Sequence, residues 1–162
     1  MKTLLLDPHG DDAVLFATYT CLRERPLVLM THRTVPFDES MEGCSRIGCH
    51  AISIASEDKV SHLRYYDGAE KVYVPMIRVD GHEEHNEAAQ LALVAFGPER
   101  VVFYLTYAPR GQRDRDGVEV VPTTPEIACK LHALSCYQSQ IEQSTTRPWF
   151  FDLLDMREWL GS

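Results

Sequence analysis

Short apolar runs and amphipathic stretches alternate along this chain. Residues 2–6 open it with Leu4, Leu5 and Leu6 in succession, and Asp7 follows at once. An unbroken apolar run reads as a strand covered on both faces, as in a parallel sheet. A helix is expected from Asp11 or Asp12 to about Arg25, ended by Pro26, because the residue before a proline disfavours helical backbone. Residues 27–31, LVLMT, read as a second buried strand. Residues 40–57 carry Ile47, Ala51, Ile54 and Ala55 at helical spacing and predict a helix. A short strand is expected around residues 62–66 and another over 71–77.

Residues 85–96 predict a helix stopped by Gly97 and Pro98. Residues 100–107 hold the strongest strand pattern, VVFYLTY, and a polar loop is expected over 109–122. Thr123 or Thr124 can cap a helix running to about Gln140, with Pro125 in its first turn. Near the end, Trp149, Phe150, Leu153, Leu154 and Trp159 predict a short helix docked on the body. Strands alternating with helices imply an α/β fold with a mostly parallel sheet flanked by helices. No linker, repeat or low-complexity segment interrupts the pattern, so residues 1–162 read as a single domain. In such sheets ligands bind outside the carboxyl ends of the strands.

Composition narrows the picture. A net charge of −8 argues against general nucleic-acid binding, which needs a basic footprint. The five cysteines are odd in number and form no C-x-x-C, so free thiols are expected rather than disulfides or a cysteine zinc site. The first apolar run is too short for a signal peptide, and no run is long enough for a membrane span. A cytoplasmic location is the corresponding expectation.

Charge concentrates where the first strand ends. Residues 7–12, DPHGDD, pack three aspartates and a histidine into six positions. A turn explains part of this: Pro8 and Gly10 supply its geometry and Asp12 can cap a helix. Downstream, His82 and His85 stand three apart at a helix start and share one face. That spacing also occurs on solvated helices. Taken together, two histidines and one carboxylate make a three-ligand site with open positions, suited to zinc or iron(II). The remaining aspartate and histidine can then serve as base and acid around an activated water. Neighbouring carboxylates repel unless a cation lies among them.

These segments resemble the PIG-L/LmbE-type zinc-dependent N-deacetylases, the N-acetylglucosaminyl deacetylase-like family. Its first motif, A/P-H-P-D-D-E, is matched by Pro8-His9-Gly10-Asp11-Asp12-Ala13. Its second, H-P-D-H, is matched by His82-Glu83-Glu84-His85, followed by EAAQLAL. A late K-x-x-A-L-x-x-Y/H-x-S-Q pattern is matched by Lys130, Ala133, Leu134, Tyr137, Ser139 and Gln140. The resemblance spans residues 2–140 in order. It implies a Rossmann-like domain that binds zinc, with iron(II) as the alternative, through His9, Asp12 and His85. It implies Asp11 as general base and His82 as oxyanion stabiliser or proton donor to the leaving amine. Its implied substrate is an N-acylated, most often acetylated, amino sugar or conjugate. Ser139 and Gln140 would be structural support, and Arg46 falls loosely where the family has a substrate-contacting arginine.

Several residues depart from the family pattern. Gly10 replaces a proline, which implies a freer loop, and Ala13 replaces a glutamate. Phe16 and Ala17 stand where a glycine is expected. Glu84 replaces an aspartate and is long enough to reach His82 and raise its pKa. Two other readings follow: a degenerate metal-binding module that has lost turnover, and a ferrous-iron oxygenase using the same ligand types. A second copy of the chain is a candidate partner. Arg110, Arg113 and Arg115, interleaved with Asp114 and Asp116, form either a solvated loop or a lip that contacts a substrate anion. His32 could approach the site from the second strand. Asp7 and Asp80 could orient ligand histidines, or act only in turns. His50, His62 and His132 read as structural, and Tyr65 and Tyr66 as core and rim.

Overall fold

The computed structural model describes residues 2–32, 34–106, 117–146 and 157–161. Strand β1 (Thr3–Asp7) leads into the short helices α1 (Asp12–Phe16) and α2 (Thr18–Glu24), then β2 (Leu27–Met30). Helix α3 (Phe37–Arg46), β3 (His50–Ser53), α4 (Lys59–Arg64) and β4 (Lys71–Pro75) follow. Next come α5 (Glu83–Phe96), a 3-10 turn (Pro98–Arg100), β5 (Val101–Tyr104) and β6 (Gly117–Val120). Helices α6 (Thr124–Leu134) and α7 (Gln138–Thr146) precede the last strand, β7 (Glu158–Gly161).

The seven strands form one sheet in the order β3-β2-β1-β4-β5-β7-β6. The first five are parallel, and β7 runs antiparallel to both β5 and β6. Successive side chains of a strand point to opposite faces. Leu5, Val28, Met30, Tyr73 and Tyr104 therefore pack with residues of α1, α2, α3 and α6. Leu4, Leu6, Leu29, Val72 and Val74 pack with Leu63 of α4 and with Ala88, Ala89, Ala92 and Phe96 of α5. Both faces are covered, which is why β1 and β2 read as continuous apolar runs. The expected α/β architecture with a mostly parallel, helix-flanked sheet is thus present.

Local departures have local causes. The helix expected over 40–57 is α3 followed by strand β3. Gly48, at φ +74°, turns the chain just after α3, and residues 50–53 pair in register with Leu27–Met30. The strand expected around 62–66 is helical, because Asp58 accepts the Ser61 N–H at 3.0 Å and starts α4. The first long helix breaks at Ala17 (φ −137°, ψ 21°). Buried Glu158 of β7 accepts the freed Tyr19 N–H at 2.9 Å and the Thr20 N–H at 3.4 Å. Buried Lys130 lies 3.4 Å from Glu158 and donates to the Leu15 carbonyl at 2.8 Å. The late helix breaks before Tyr137, whose ring is fully buried. Trp159, expected in a helix, lies in β7. Residues 117–120 of the expected loop form β6. Arg110, Arg113, Arg115, Asp114 and Asp116, and the apolar residues 149–154 of the expected terminal helix, lie outside the described residues. All five cysteines are free thiols. Among the described residues, no helix is long and apolar enough to cross a membrane.

Candidate metal centre

Strand order reverses between β1 and β4, so the loops leaving their carboxyl ends diverge and open a crevice. The β1 loop brings His9, Asp11 and Asp12 to it, and α5, following β4, brings His85. This answers the charge at the end of β1 in part by turn chemistry. The buried Asp7 carboxylate accepts the N–H groups of Gly10 at 2.7 Å and Ala13 at 3.2 Å. Asp7 is therefore the turn's own carboxylate and does not orient a ligand histidine. Gly10 sits at φ +90°, which proline cannot adopt. The Tyr137 hydroxyl donates to the Gly10 carbonyl at 3.0 Å, and a Cβ at this position would lie 2.4 Å from Ser40 Oγ. The loop expected to be freer is pinned from three sides.

The expected ligands come together. His9, Asp12 and His85 are all buried and bring one donor atom each within a common 4.8 Å. His9 Nδ1 lies 3.3 Å from Asp12 Oδ2, and His85 Nε2 lies 3.2 Å from each of those two atoms. A tetrahedral ion with bonds of about 2.0–2.1 Å has edges of about 3.3–3.4 Å between ligand atoms. The triangle already has that size. Asp11 Oδ1 and Asp12 Oδ1 are buried without a hydrogen bond, although Asp12 Oδ1 lies 3.1 Å from His85 Nε2. Unsatisfied buried carboxylate oxygens are costly, and a cation is the group that would satisfy them. The donor set fits a divalent ion such as zinc; it does not specify which.

The electrostatics point the same way. Burial pushes Asp11 well above the usual carboxylate range, and the charges of Asp12 and Asp7 add to it. Burial also acts on Asp7, which rises to about 7 with the help of Asp12. Burial opposes ionisation of Asp12 as well, but His85 and His9 overcome it and hold that carboxyl below its ordinary value. His9 loses charge stability through burial, yet the hydrogen bond and charge of Asp12, with Asp11 and Asp7, raise it to about 9. Three carboxylates around two imidazoles is an arrangement that a divalent ion would relax.

His85 Nδ1 lies 3.1 Å from the buried Thr106 hydroxyl, just beyond β5. Such a contact fixes the ring and directs Nε2 at the centre. Thr106 is absent from the sequence-level expectations; its signal is its place at the carboxyl end of a central strand. His82 precedes α5 as its N-cap residue, and its ring centroid is 5.4 Å from His85 and 5.6 Å from His9. Burial and the charges of His85 and His9 lower its pKa, opposite to the rise expected from Glu84. The Glu84 charge does raise it but is outweighed; Glu84 Oε2 lies 3.8 Å from His9 Nε2, and His9, His82 and Glu84 each bring one donor atom within a common 4.8 Å.

The remaining candidates fall outside the centre. His32 binds Glu87 at 3.1 Å and Lys59 at 2.8 Å. Arg46 pairs with Glu42 and His132. Ser139 donates to Glu39 of α3 through both its N–H (2.9 Å) and its hydroxyl (2.6 Å), and Gln140 donates to Ser139 Oγ at 3.2 Å, which makes both structural. Asp80 is exposed and pairs with Arg78 at 3.5 Å. Tyr65 is exposed rather than core.

No protein-family model matches the chain, and no curated protein matches it. Among solved structures, the chain is similar to GalB, the 4-carboxy-2-hydroxymuconate hydratase from Pseudomonas putida KT2440, at 14% identity and a TM-score of 0.67. The match covers 99% of this chain and 95% of that one. At that identity the likeness is one of fold.

Proposed function

We propose that the chain is a metal-dependent amide hydrolase that removes an N-acyl group, most plainly acetyl, from an amino sugar or amino-sugar conjugate. The observation that carries the reading is the triangle of His9 Nδ1, Asp12 Oδ2 and His85 Nε2, sized for a tetrahedral ion, with Asp11 buried beside it. The family resemblance in the sequence supplies the substrate class. The sheet order β3-β2-β1-β4-β5 supports the Rossmann-like description of the domain.

A zinc or iron(II) ion held by His9, Asp12 and His85 would supply a Lewis acid and lower the pKa of a bound water. Asp11 takes a proton from the attacking water. Its raised affinity for a proton then suits it to pass that proton to the departing nitrogen as the C–N bond breaks. His82, with its lowered pKa, is neutral at pH 7 and donates a ring N–H to the carbonyl oxygen as charge develops there. Thr106 holds His85 in the required orientation.

The test is acetate release from N-acetylglucosamine conjugates by the zinc-loaded protein. Asp11→Asn should keep metal but lower turnover by about 10²–10⁴, and His82→Ala should keep metal and lose most turnover. Metal retention with no release from any acylated substrate would favour the degenerate binding module instead.

A further inference from the structure

His9 has two ring nitrogens, and the centre described above uses one of them. Nδ1 faces Asp12 Oδ2 at 3.3 Å and His85 Nε2 at 3.2 Å. Nε2 faces Glu84, whose Oε2 lies 3.8 Å away. His82 completes a second group, in which His9, His82 and Glu84 each bring one donor atom within a common 4.8 Å. Two imidazoles and one carboxylate are a set that zinc accepts as three protein ligands with open positions. The spacing is looser than in the inner triangle, but its side chains have room to close it. His82 is exposed and the Glu84 side chain is 41% exposed, whereas His9, Asp12 and His85 are buried. Both outer residues come from the start of α5, His82 as its N-cap residue and Glu84 in its first turn.

Two simpler roles for Glu84 fit less well. An ion pair with His9 through so exposed a carboxylate contributes little. A carboxylate that orients a ligand histidine makes a hydrogen bond of normal length, as the Thr106 hydroxyl does with His85 at 3.1 Å; 3.8 Å is too long for one. An aspartate at position 84 would be one methylene shorter, so the reach towards His9 depends on the glutamate present here.

We propose that His9, His82 and Glu84 form a second divalent-cation site on the solvent side of the inner centre, sharing the His9 imidazole with it. The chain then takes up two ions, one tightly and one weakly. The outer ion binds more weakly because His9 gives up its remaining ring proton to solvent and bridges as an imidazolate, and because the two ions repel. The site does not depend on the hydrolase reading, but its consequence for turnover rests on it. The outer ion takes the His82 ring assigned to the carbonyl oxygen, so zinc beyond one equivalent inhibits.

The experiment titrates the metal-free full chain with zinc in a calorimeter and counts bound zinc after equilibrium dialysis. The wild type should take up two equivalents, the second at least about tenfold more weakly than the first. Glu84→Gln should keep the first event and weaken the second by at least about 100-fold, beyond the roughly 10–100-fold that loss of an orienting partner costs. Glu84→Asp should weaken the second event by a smaller amount, and it decides the matter where Glu84→Gln fails to fold. A single equivalent in the wild type overturns the second site. A second equivalent that survives unchanged in the Glu84 variants also overturns it, because that ion lies elsewhere. Absence of acetate release from every acylated sugar would sink the hydrolase reading and leave the zinc count intact.

Discussion

Zinc should stabilise this fold, and two adjacent aspartates should differ in how much of that they carry. The donor atoms of His9, Asp12 and His85 already stand 3.2–3.3 Å apart, so binding needs little rearrangement. At a free zinc concentration about 100 times Kd, binding contributes about 2.7 kcal/mol. For a domain of this size each kcal/mol moves the unfolding midpoint by about 2–4 °C, which gives a rise of about 5–11 °C. Asp12→Ala removes one of three donors and should bring the zinc-induced rise to about zero. Asp11→Asn preserves the donor triangle and should keep most of it. The assay is differential scanning calorimetry of each variant with and without zinc, read as the difference, so a changed baseline stability cancels. The same scan carries a pH test. The His9 proton, held with a pKa of about 9, must leave when the metal binds. Below that value apparent affinity should fall about tenfold per pH unit, and the zinc contribution by about 1.4 kcal/mol per unit. The zinc-free protein has its own dependence. A histidine raised above its ordinary 6.5 contributes stability that is full below pH 6.5 and is lost as pH climbs through about 9. Equal loss of the zinc effect in Asp11→Asn and Asp12→Ala would refute the division between ligand and base. A zinc effect that persists in Asp12→Ala would refute the centre.

Other consequences can be checked singly. Thr106→Val removes the oxygen beside His85 Nδ1 and should weaken zinc binding by about 10–100-fold, measured by competition with a chelator, with little change in the circular dichroism spectrum. Gly10→Pro, which restores the family's motif, should destabilise by about 1–3 kcal/mol or more in urea, because proline cannot reach φ +90° and lacks the N–H given to Asp7; a stabilised variant would contradict the described turn. Lys130→Met strands buried Glu158 without its cation and should cost about 3–5 kcal/mol, while Lys130→Met combined with Glu158→Gln should cost less, by the same urea titration.

The sequence by itself determined the alternation of strands and helices, because burial on both faces of a parallel sheet leaves unbroken apolar runs such as Leu4–Leu6. It also marked His9, Asp11, Asp12, His82 and His85 as a candidate centre, because so many charged groups at a strand end need a cation or a turn to explain them; the resemblance to the deacetylase family is what named His9, Asp12 and His85 as the ligands. Tertiary structure decided what local pattern could not. Residues 47–55 fit a helical period, but pairing with β2 makes 50–53 a strand. The break at Ala17 depends on Glu158, more than a hundred residues away, which satisfies the backbone donors it frees. Thr106 carries no motif. It acquires meaning only because β4 and β5 lie side by side, so that the end of β5 meets His85 of the helix that follows β4. Glu84 shows the limit most directly: its length suggested a contact with His82 alone, and the start of α5 sets it between His82 and His9, 3.8 Å from His9 Nε2. Spacing along a chain sets which side chains can share a face, but the direction in which each points is set by the elements packed around it.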